Sequence, residues 1–383
     1  MSSIIDNKFI IEISPNGLSD YLESKGWIRD GNIFEHALIW HREEPESYDF
    51  EVIQPLSVDI KAYQQRVYDA LKALAEYEKR SLQDIAVDIT NFYSDLVKVR
   101  VVHDDVEGGS IPIDDGVLLV EKARDLLLAS TLSTFKKKRH FSGQRSKDVQ
   151  DYLNQLRLGQ TEVGSFIVNL IAPIQFYDSS QVDEDNVSIT RSVTNNLSRS
   201  LQALSNSIEQ YEKSSNVYDF EEVIDKGVSA NLCDALCGLS GSNKTRSFNI
   251  IITLAGSESD HQELPKQFSF KPSKVQFLEI ASSYYKGKYT IKEYEAYGLV
   301  SKMKHLPDDE YGEITVKSLV RGVDKNVVIQ LPLDNYWQAV HAHECSHLVS
   351  CKGVLNVTPR SARLLDAFNF RVIDNTIYLT EQT

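Results

Sequence analysis

The sequence predicts an α+β fold, with a mixed helix and strand body followed by a small β-barrel at the C-terminal end. The chain has 383 residues, of which 42% are apolar, so it can bury large cores in two or three domains. Segments with apolar residues every three or four positions predict helices, and short runs of β-branched and aromatic residues predict strands. The two kinds of segment are mixed through the body, whereas strand-like segments dominate the last hundred residues or so.

Changes in this pattern divide the chain into three regions: an N-terminal α+β region at 1–105, a central α/β region at 106–286 and the barrel at 287–383. In the first region, "GLSDYLESKG" predicts a short helix and "DFEVIQPL" predicts a strand. Residues 59–93 follow as one long helical stretch. In the central region, "VLLVEKARDLLLASTLSTF" predicts a buried helix that Asp114 or Asp115 caps.

The barrel region contains five strand-like segments, with one helix between the third and the fourth. The helix is expected to begin at a capping Asp334 in "DNYWQAVHAH". Five strands with one helix in this place is the order of an OB barrel. The alternation of the strands predicts a separate core, to which we assign Ile314, Val316, Val328, Ile329, Val340, Val349, Leu355 and Phe370.

Composition limits the functions that the chain can have. The formal net charge of −14 opposes broad attraction to DNA or to anionic membranes, so any nucleic-acid contact is expected to be local. We find no signal-peptide pattern and no apolar run near the roughly 18 residues that span a bilayer. Four cysteines are too few for a disulfide framework in a chain of this length. These features predict a cytoplasmic protein that has no membrane contact.

A basic run, "FKKKRHFSGQRSK", follows the buried helix of the central region. Such a run can bind phosphate groups, and its aromatic rings can stack on bases. The alternative is a solvated loop whose cations favour the C-terminus of the preceding helix. The candidate nucleic-acid-binding residues are Lys136, Lys137, Lys138, Arg139, Arg145 and Lys147.

The segment "HECSH" matches the H-E-x-x-H signature of zinc hydrolases. In that signature His343 and His347 would bind zinc and Glu344 would act as the general base. The alternation in "HLVSCKGVL" instead predicts that the helix ends at or before His347, which would separate the two histidines. We therefore expect no cofactor and no catalytic residue, with a zinc-dependent hydrolase as the alternative.

Two polar turns of the central region are further candidates. Residues 238–245, "GLSGSNKT", approach a phosphate-binding P-loop, but a helix precedes them and a strand follows, which is the reverse of the order that a P-loop requires. An ordinary helix-to-strand turn is the preferred interpretation. The second turn could contact a phosphate or a sugar, but a buried polar turn that stabilises the next strand is the preferred interpretation. Its candidate residues are Arg157, Gln160, Thr161 and Glu162.

Three segments, "GSIPIDDGVLLVEKARDLLLA", "RLGQTEVGSFIVNLIAPI" and "GVSANLCDALCGL", together with the OB-like tail, resemble a family of uncharacterised bacterial proteins. The resemblance extends from about residue 108 to the C-terminus. Members of the family have no assigned activity, so the resemblance transfers no functional residue. It implies a cytoplasmic accessory protein, in the context of mobile elements or phage defence.

Two hypotheses follow for the function. The first is a non-catalytic accessory subunit that holds a protein partner or a nucleic acid. Residues 291–383 contain 10 lysines and arginines against 12 acids, a balance of −2, so the barrel is expected to bind protein and the basic run to bind any nucleic acid. The second is an enzyme that uses either the HECSH motif or the turn that contains Arg157.

Overall fold

The computed structural model describes residues 13–42, 50–106, 109–159, 166–174, 188–256, 265–320 and 323–373. Helices and several sheets confirm the α+β class. The chain divides into two compact units. The first contains 1–137, 143–202 and 235–275, and the second contains 138–142, 203–234 and 276–383. In the described part of the chain, no helix combines the length and the apolar content that a membrane span requires.

An antiparallel three-stranded sheet in the order β1-β2-β3 packs with three helices at the start of the first unit. The stretch predicted as one long helix is two helices. Lys79 ends α2 in the left-handed region at φ 53°, and the side chain of Ser81 caps α3 by accepting the backbone N–H of Asp84 at 3.1 Å. The elements are α1 (Pro15–Ser24), β1 (Ile28–Ile33), β2 (Ala37–Arg42), β3 (Phe50–Pro55), α2 (Tyr63–Glu78) and α3 (Leu82–Thr90).

The second sheet is five-stranded and antiparallel, in the order β5-β6-β4-β7-β8. Its central strand β4 lies in the region predicted as 1–105, and the three predicted domain limits stay a prediction. The strands are β4 (Ser94–Val102), β5 (Arg157–Leu158), β6 (Phe166–Pro173), β7 (Ser247–Thr253) and β8 (Lys266–Phe270). The helices are α4 (Ile113–Phe135), α5 (Lys147–Gln155), α6 (Ile189–Ser214), α7 (Ala230–Leu239) and α8 (Pro272–Tyr285).

A buried ion pair fixes one end of this sheet. Asp95 on β4 is fully buried and lies 3.2 Å from the guanidinium of Arg191 on α6. The backbone N–H of Ala255, just after β7, donates to the same carboxylate at 2.7 Å, and Arg191 donates to the carbonyl of Ala255 at 2.9 Å. The hydrogen bonds join two strands and a helix around a charge that would otherwise be costly to bury.

The second unit contains a closed five-stranded barrel. Its strands and helix are β9 (Tyr289–Lys304), β10 (Tyr311–Val320), β11 (Val323–Pro332), α9 (Leu333–Glu344), β12 (Leu348–Val357) and β13 (Ala362–Ile373). The order around the barrel is β9-β10-β11-β13-β12, with β12 pairing back to β9. Strands β11 and β13 are parallel, and the other neighbours are antiparallel. This order and the helix after the third strand confirm the predicted OB-like barrel.

Strand β9 closes the barrel because its first half pairs with one neighbour and its second half with the other. Residues 289–299 pair with β12, and residues 298–304 pair with β10. Gly298 is a point of overlap, opposite both Ser318 and Val349. A Cβ atom at Gly298 would overlap the carbonyl of Lys317, so this crossing requires glycine.

The predicted barrel core is largely confirmed. Five of its residues are fully buried, and Val340 and Phe370 pack against them while partly exposed. The assignment of Val328 is wrong, because strand alternation places Val327 inside, at 0% exposure, and Val328 on the outer face opposite Thr315. The five fully buried residues are Ile314, Val316, Ile329, Val349 and Leu355.

The predicted helix caps are also wrong. Pro112 is the N-cap residue of α4 and Pro332 is that of α9, and neither helix has a side-chain cap. Asp114, Asp115 and Asp334 instead lie in the first turn of their helices. A carboxylate in the first turn still favours the positive end of the helix dipole.

Val327→Asp and Val328→Asp are adjacent substitutions that should differ strongly. The first places an unpaired charge in the barrel core, which costs about 3–5 kcal/mol. The second places the same charge on the outer face, and we expect nearly wild-type stability. Circular dichroism melting of both full-length variants measures the difference. Equal destabilisation would contradict the register of β11.

Candidate functional site

The structure gives two cations of the basic run internal partners. Lys137 donates to the side-chain oxygen of Asn196 at 2.5 Å. Arg139 pairs with Glu221, and its guanidinium lies 5.9 Å from the centre of the Tyr284 ring. These two side chains therefore have structural roles.

Hydrogen bonds also hold the backbone of the basic run. The backbone N–H of Ala230 donates to the carbonyl of Arg139 at 2.8 Å. The side chain of Asn231 accepts from the Phe141 N–H at 2.9 Å and donates to the Phe141 carbonyl at 3.1 Å. The four remaining candidates are exposed and pair with no carboxylate in the described ranges: Lys136, Lys138, Arg145 and Lys147.

The HECSH motif lies across the end of a helix. Helix α9 ends at Glu344, and the backbone N–H of His347 donates to the carbonyl of Ala342 at 2.8 Å as the chain turns into β12. The Nδ1 atom of His343 lies 2.7 Å from the carbonyl oxygen of Val300. The predicted helix end is confirmed, so His343 and His347 do not share one helical face. The described residues contain no group of three potential metal ligands.

The P-loop-like turn runs from the end of α7 at Leu239 to the start of β7 at Ser247, which confirms a helix-to-strand turn. Asp115 holds this turn. Its carboxylate accepts the backbone N–H of Ser242 at 2.9 Å and the hydroxyl of Ser242 at 2.8 Å, and it pairs with Arg246 at 2.7 Å.

One position of this turn requires glycine. Gly241 has a φ of 84°, and a Cβ atom there would overlap the guanidinium of Arg246. The backbone hydrogen bond from Ser242, with further contributions from Arg246, lowers the pKa of Asp115 below its ordinary value. The N–H and O–H groups of the turn and Arg246 therefore act as a receptor for the carboxylate of Asp115 within the chain.

The second polar turn is only partly described. Arg157 is exposed on β5, where it lies opposite Ile171 of β6. Gln160, Thr161 and Glu162 lie outside the described residues. Their contribution to a site stays a prediction.

A cationic face that the sequence did not indicate lies on the outer surface of the barrel. The register places Lys302 of β9 opposite Thr315, Thr315 opposite Val328, and Val328 opposite Arg363 of β13. This row crosses four adjacent strands, or about 14 Å at the usual strand spacing. Lys304 follows Lys302 two residues later on β9. We define the cationic face as Lys302, Lys304, Lys317 and Arg363, all of which are exposed.

Acids and one exposed aromatic ring surround the cationic face. Glu313 lies opposite Lys304 and pairs with Arg363 at 3.1 Å, and Asp324 lies on the same outer face of β11, opposite Leu319, so two described acids accompany the four cations. Tyr311 follows the same alternation on β10 and is 49% exposed, which leaves ring surface for stacking. The loop after Lys304 carries three acids and limits the face at that end: Asp308, Asp309 and Glu310.

Comparisons with known proteins assign no family and no function to the chain. No protein-family model, no curated protein and no solved structure matches the chain. The resemblance to the uncharacterised bacterial family therefore stays a prediction.

Asp115→Asn should destabilise the chain at pH 7 by about 1–3 kcal/mol, because it weakens charge-assisted hydrogen bonds to the turn. The folded pKa of Asp115 is lowered, so its contribution is complete above the unfolded pKa and is lost as the pH falls through the folded pKa. The difference from wild type should shrink below about pH 4. Melting temperatures from pH 7 to pH 3 measure this, with exposed Asp114→Asn as the control. A difference that does not change with pH would contradict the assigned role.

Replacing both His343 and His347 with Ala should leave the metal content of the purified protein unchanged, because the helix end separates the two side chains. Elemental analysis by mass spectrometry measures zinc in both proteins. Stoichiometric zinc in the wild type that disappears in the double variant would establish the zinc site and refute our interpretation of the motif.

Proposed function

We propose that the chain is a non-catalytic binding subunit whose barrel holds a single-stranded nucleic acid on the cationic face. The observation that carries this proposal is the strand register. Among the described residues it gathers four cations and two acids on one outer surface, although residues 291–383 have a net balance of −2. OB barrels bind oligonucleotides through the face that their second and third strands form.

The chemistry of the face fits a phosphate backbone. Lys302, Lys304 and Lys317 form no ion pair with an acid in the described part of the chain, so they keep their charge for a ligand. Arg363 shares its charge with Glu313 and contributes less. The exposed ring of Tyr311 can stack on one base without selecting its identity. We therefore expect salt-dependent binding that has little sequence preference.

The basic run supports the same function with a smaller set of residues than the sequence predicted. Lys136, Lys138, Arg145 and Lys147 are exposed, whereas Lys137 and Arg139 have partners within the fold. A variant that reverses only the four exposed cations tests the run without breaking internal contacts.

A protein partner is a second candidate, and exposed apolar residues beside the cationic face on the outer surface of the barrel support it. The register aligns Leu299, Leu348 and Ile373 across β9, β12 and β13. Leu299 is 44% exposed and Phe368 of β13 is 61% exposed. Exposed apolar side chains that lie together on a sheet are typical of protein interfaces.

We place the protein in the cytoplasm as part of the same proposal. The four cysteines all lie in the described ranges and form no disulfide, which supports a reducing compartment.

Lys302→Glu should weaken binding of a fluorescent oligothymidylate by at least about tenfold at low salt, and the double variant with Lys317→Glu should weaken it further. The logarithm of the affinity should fall with the logarithm of salt concentration by about 0.7 for each phosphate contact, so the slope should decrease in both variants. Fluorescence anisotropy over a salt series provides both quantities.

Lys292→Glu is the matched control, because Lys292 is an exposed lysine at the other end of β9. It should bind as the wild type does. If the four-cation variant of the basic run loses binding while Lys302→Glu does not, the site belongs to the run and the barrel proposal is wrong.

A further inference from the structure

An open pocket of about 400 Å³ lies in the first unit, and none of its lining residues belongs to a candidate site described above. Its lining residues are Lys25, Arg42, Tyr77, Glu78 and Arg80. Lys25 follows the last residue of α1, Arg42 ends β2, and the other three lie at or just after the end of α2. The volume falls within the range of about 300–1,000 Å³ typical of small-molecule sites.

Aromatic rings rather than carboxylates hold two of the cations. The Nζ atom of Lys25 lies 5.3 Å from the centre of the Tyr21 ring, and the guanidinium carbon of Arg42 lies 5.3 Å from the centre of the Tyr77 ring. Neither cation forms an ion pair with an acid in the described residues. A ring attracts a cation without neutralising it, so both keep their full positive charge.

The acid of the pocket is already satisfied by other groups. Both oxygens of Glu78 accept the hydroxyl of Tyr21, at 2.9 and 3.1 Å, and one also pairs with Arg80 at 3.0 Å. Arg80 extends its other nitrogen to Asp88 at 2.6 Å. Burial and then the charge of Glu78 raise the pKa of Tyr21, which keeps its hydroxyl a donor. Among the described charged groups, Lys25, Arg42 and Arg80 outweigh Glu78 and Asp88 by one, so the pocket keeps a net positive charge.

Arg42 has donors left for a ligand. One terminal nitrogen donates to the carbonyl of Lys25, which anchors the guanidinium at the end of α1. A guanidinium carries five N–H donors and binds phosphate with two of them in parallel. Lys25 supplies a second point charge on the same pocket. Two cations that pair with no described acid suit an anion such as a phosphate monoester, which approaches −2 at neutral pH.

We propose that this pocket binds a small phosphate monoester of mononucleotide size, with its phosphate between Lys25 and Arg42. The alternative is that Arg42 only caps the carbonyl of Lys25 at the helix end. A capping role requires the guanidinium of Arg42, but it gives no function to the ammonium of Lys25. Lys25 is therefore the residue whose substitution separates the two accounts.

Isothermal titration of the full-length protein with AMP and with inorganic phosphate tests this proposal. We expect AMP to bind, Lys25→Gln to bind AMP at least tenfold more weakly, and the melting temperature of the unliganded variant to equal that of the wild type. Lys72→Gln, at an exposed position on α2, should bind as the wild type does. Arg42→Gln should also lose AMP binding if it remains folded. If Arg42→Gln does not fold, the AMP affinity of Lys25→Gln alone tests the proposal.

Three results would overturn the proposal: no AMP binding at millimolar concentration, equal AMP affinity in Lys25→Gln and Lys72→Gln, or inorganic phosphate binding as tightly as AMP. The last result would indicate a free-anion site instead of a monoester site. Oligothymidylate binding by the barrel is a separate readout, so failure of one proposal does not affect the other.

Discussion

The barrel depends on one long strand whose two halves pair with different neighbours. Strand β9 hydrogen-bonds first to β12 and then to β10, and Gly298 lies where the two pairings overlap. The close approach of the Lys317 carbonyl leaves no space there for a side chain. Without this crossing, β9 and β10 would present unpaired edges, and the register that separates inner from outer residues would be lost.

Closure has an electrostatic consequence. Once the register is fixed, alternate residues of each strand must face outward, and the outward positions of β9, β10 and β13 include Lys302, Lys317 and Arg363. The acids of the same region lie mostly in the loop after Lys304 or on other surfaces. A ligand responds to the local field over about one Debye length, about 8 Å at physiological salt, rather than to the net charge of a domain. An acidic barrel can thus carry a cationic binding face.

Local patterns predicted much of this architecture, and contacts between distant segments explain what they missed. The strand order, the end of α9 near His347 and most of the barrel core follow from periodicity within short windows. The partner of Lys137 is 59 residues away and that of Arg139 is 82 residues away, so their internal roles could not be read from neighbours. The cationic face and the pocket of Lys25 and Arg42 likewise combine residues from separate elements.

Lysine footprinting tests the central claim most directly, because it reports which side chains a bound strand covers. The full-length protein would be acetylated with and without saturating oligothymidylate, and each lysine quantified by mass spectrometry. Our account predicts protection of Lys302, Lys304 and Lys317, with unchanged reactivity at Lys292. Equal reactivity of all four lysines in the presence of a bound oligonucleotide would contradict binding on the cationic face.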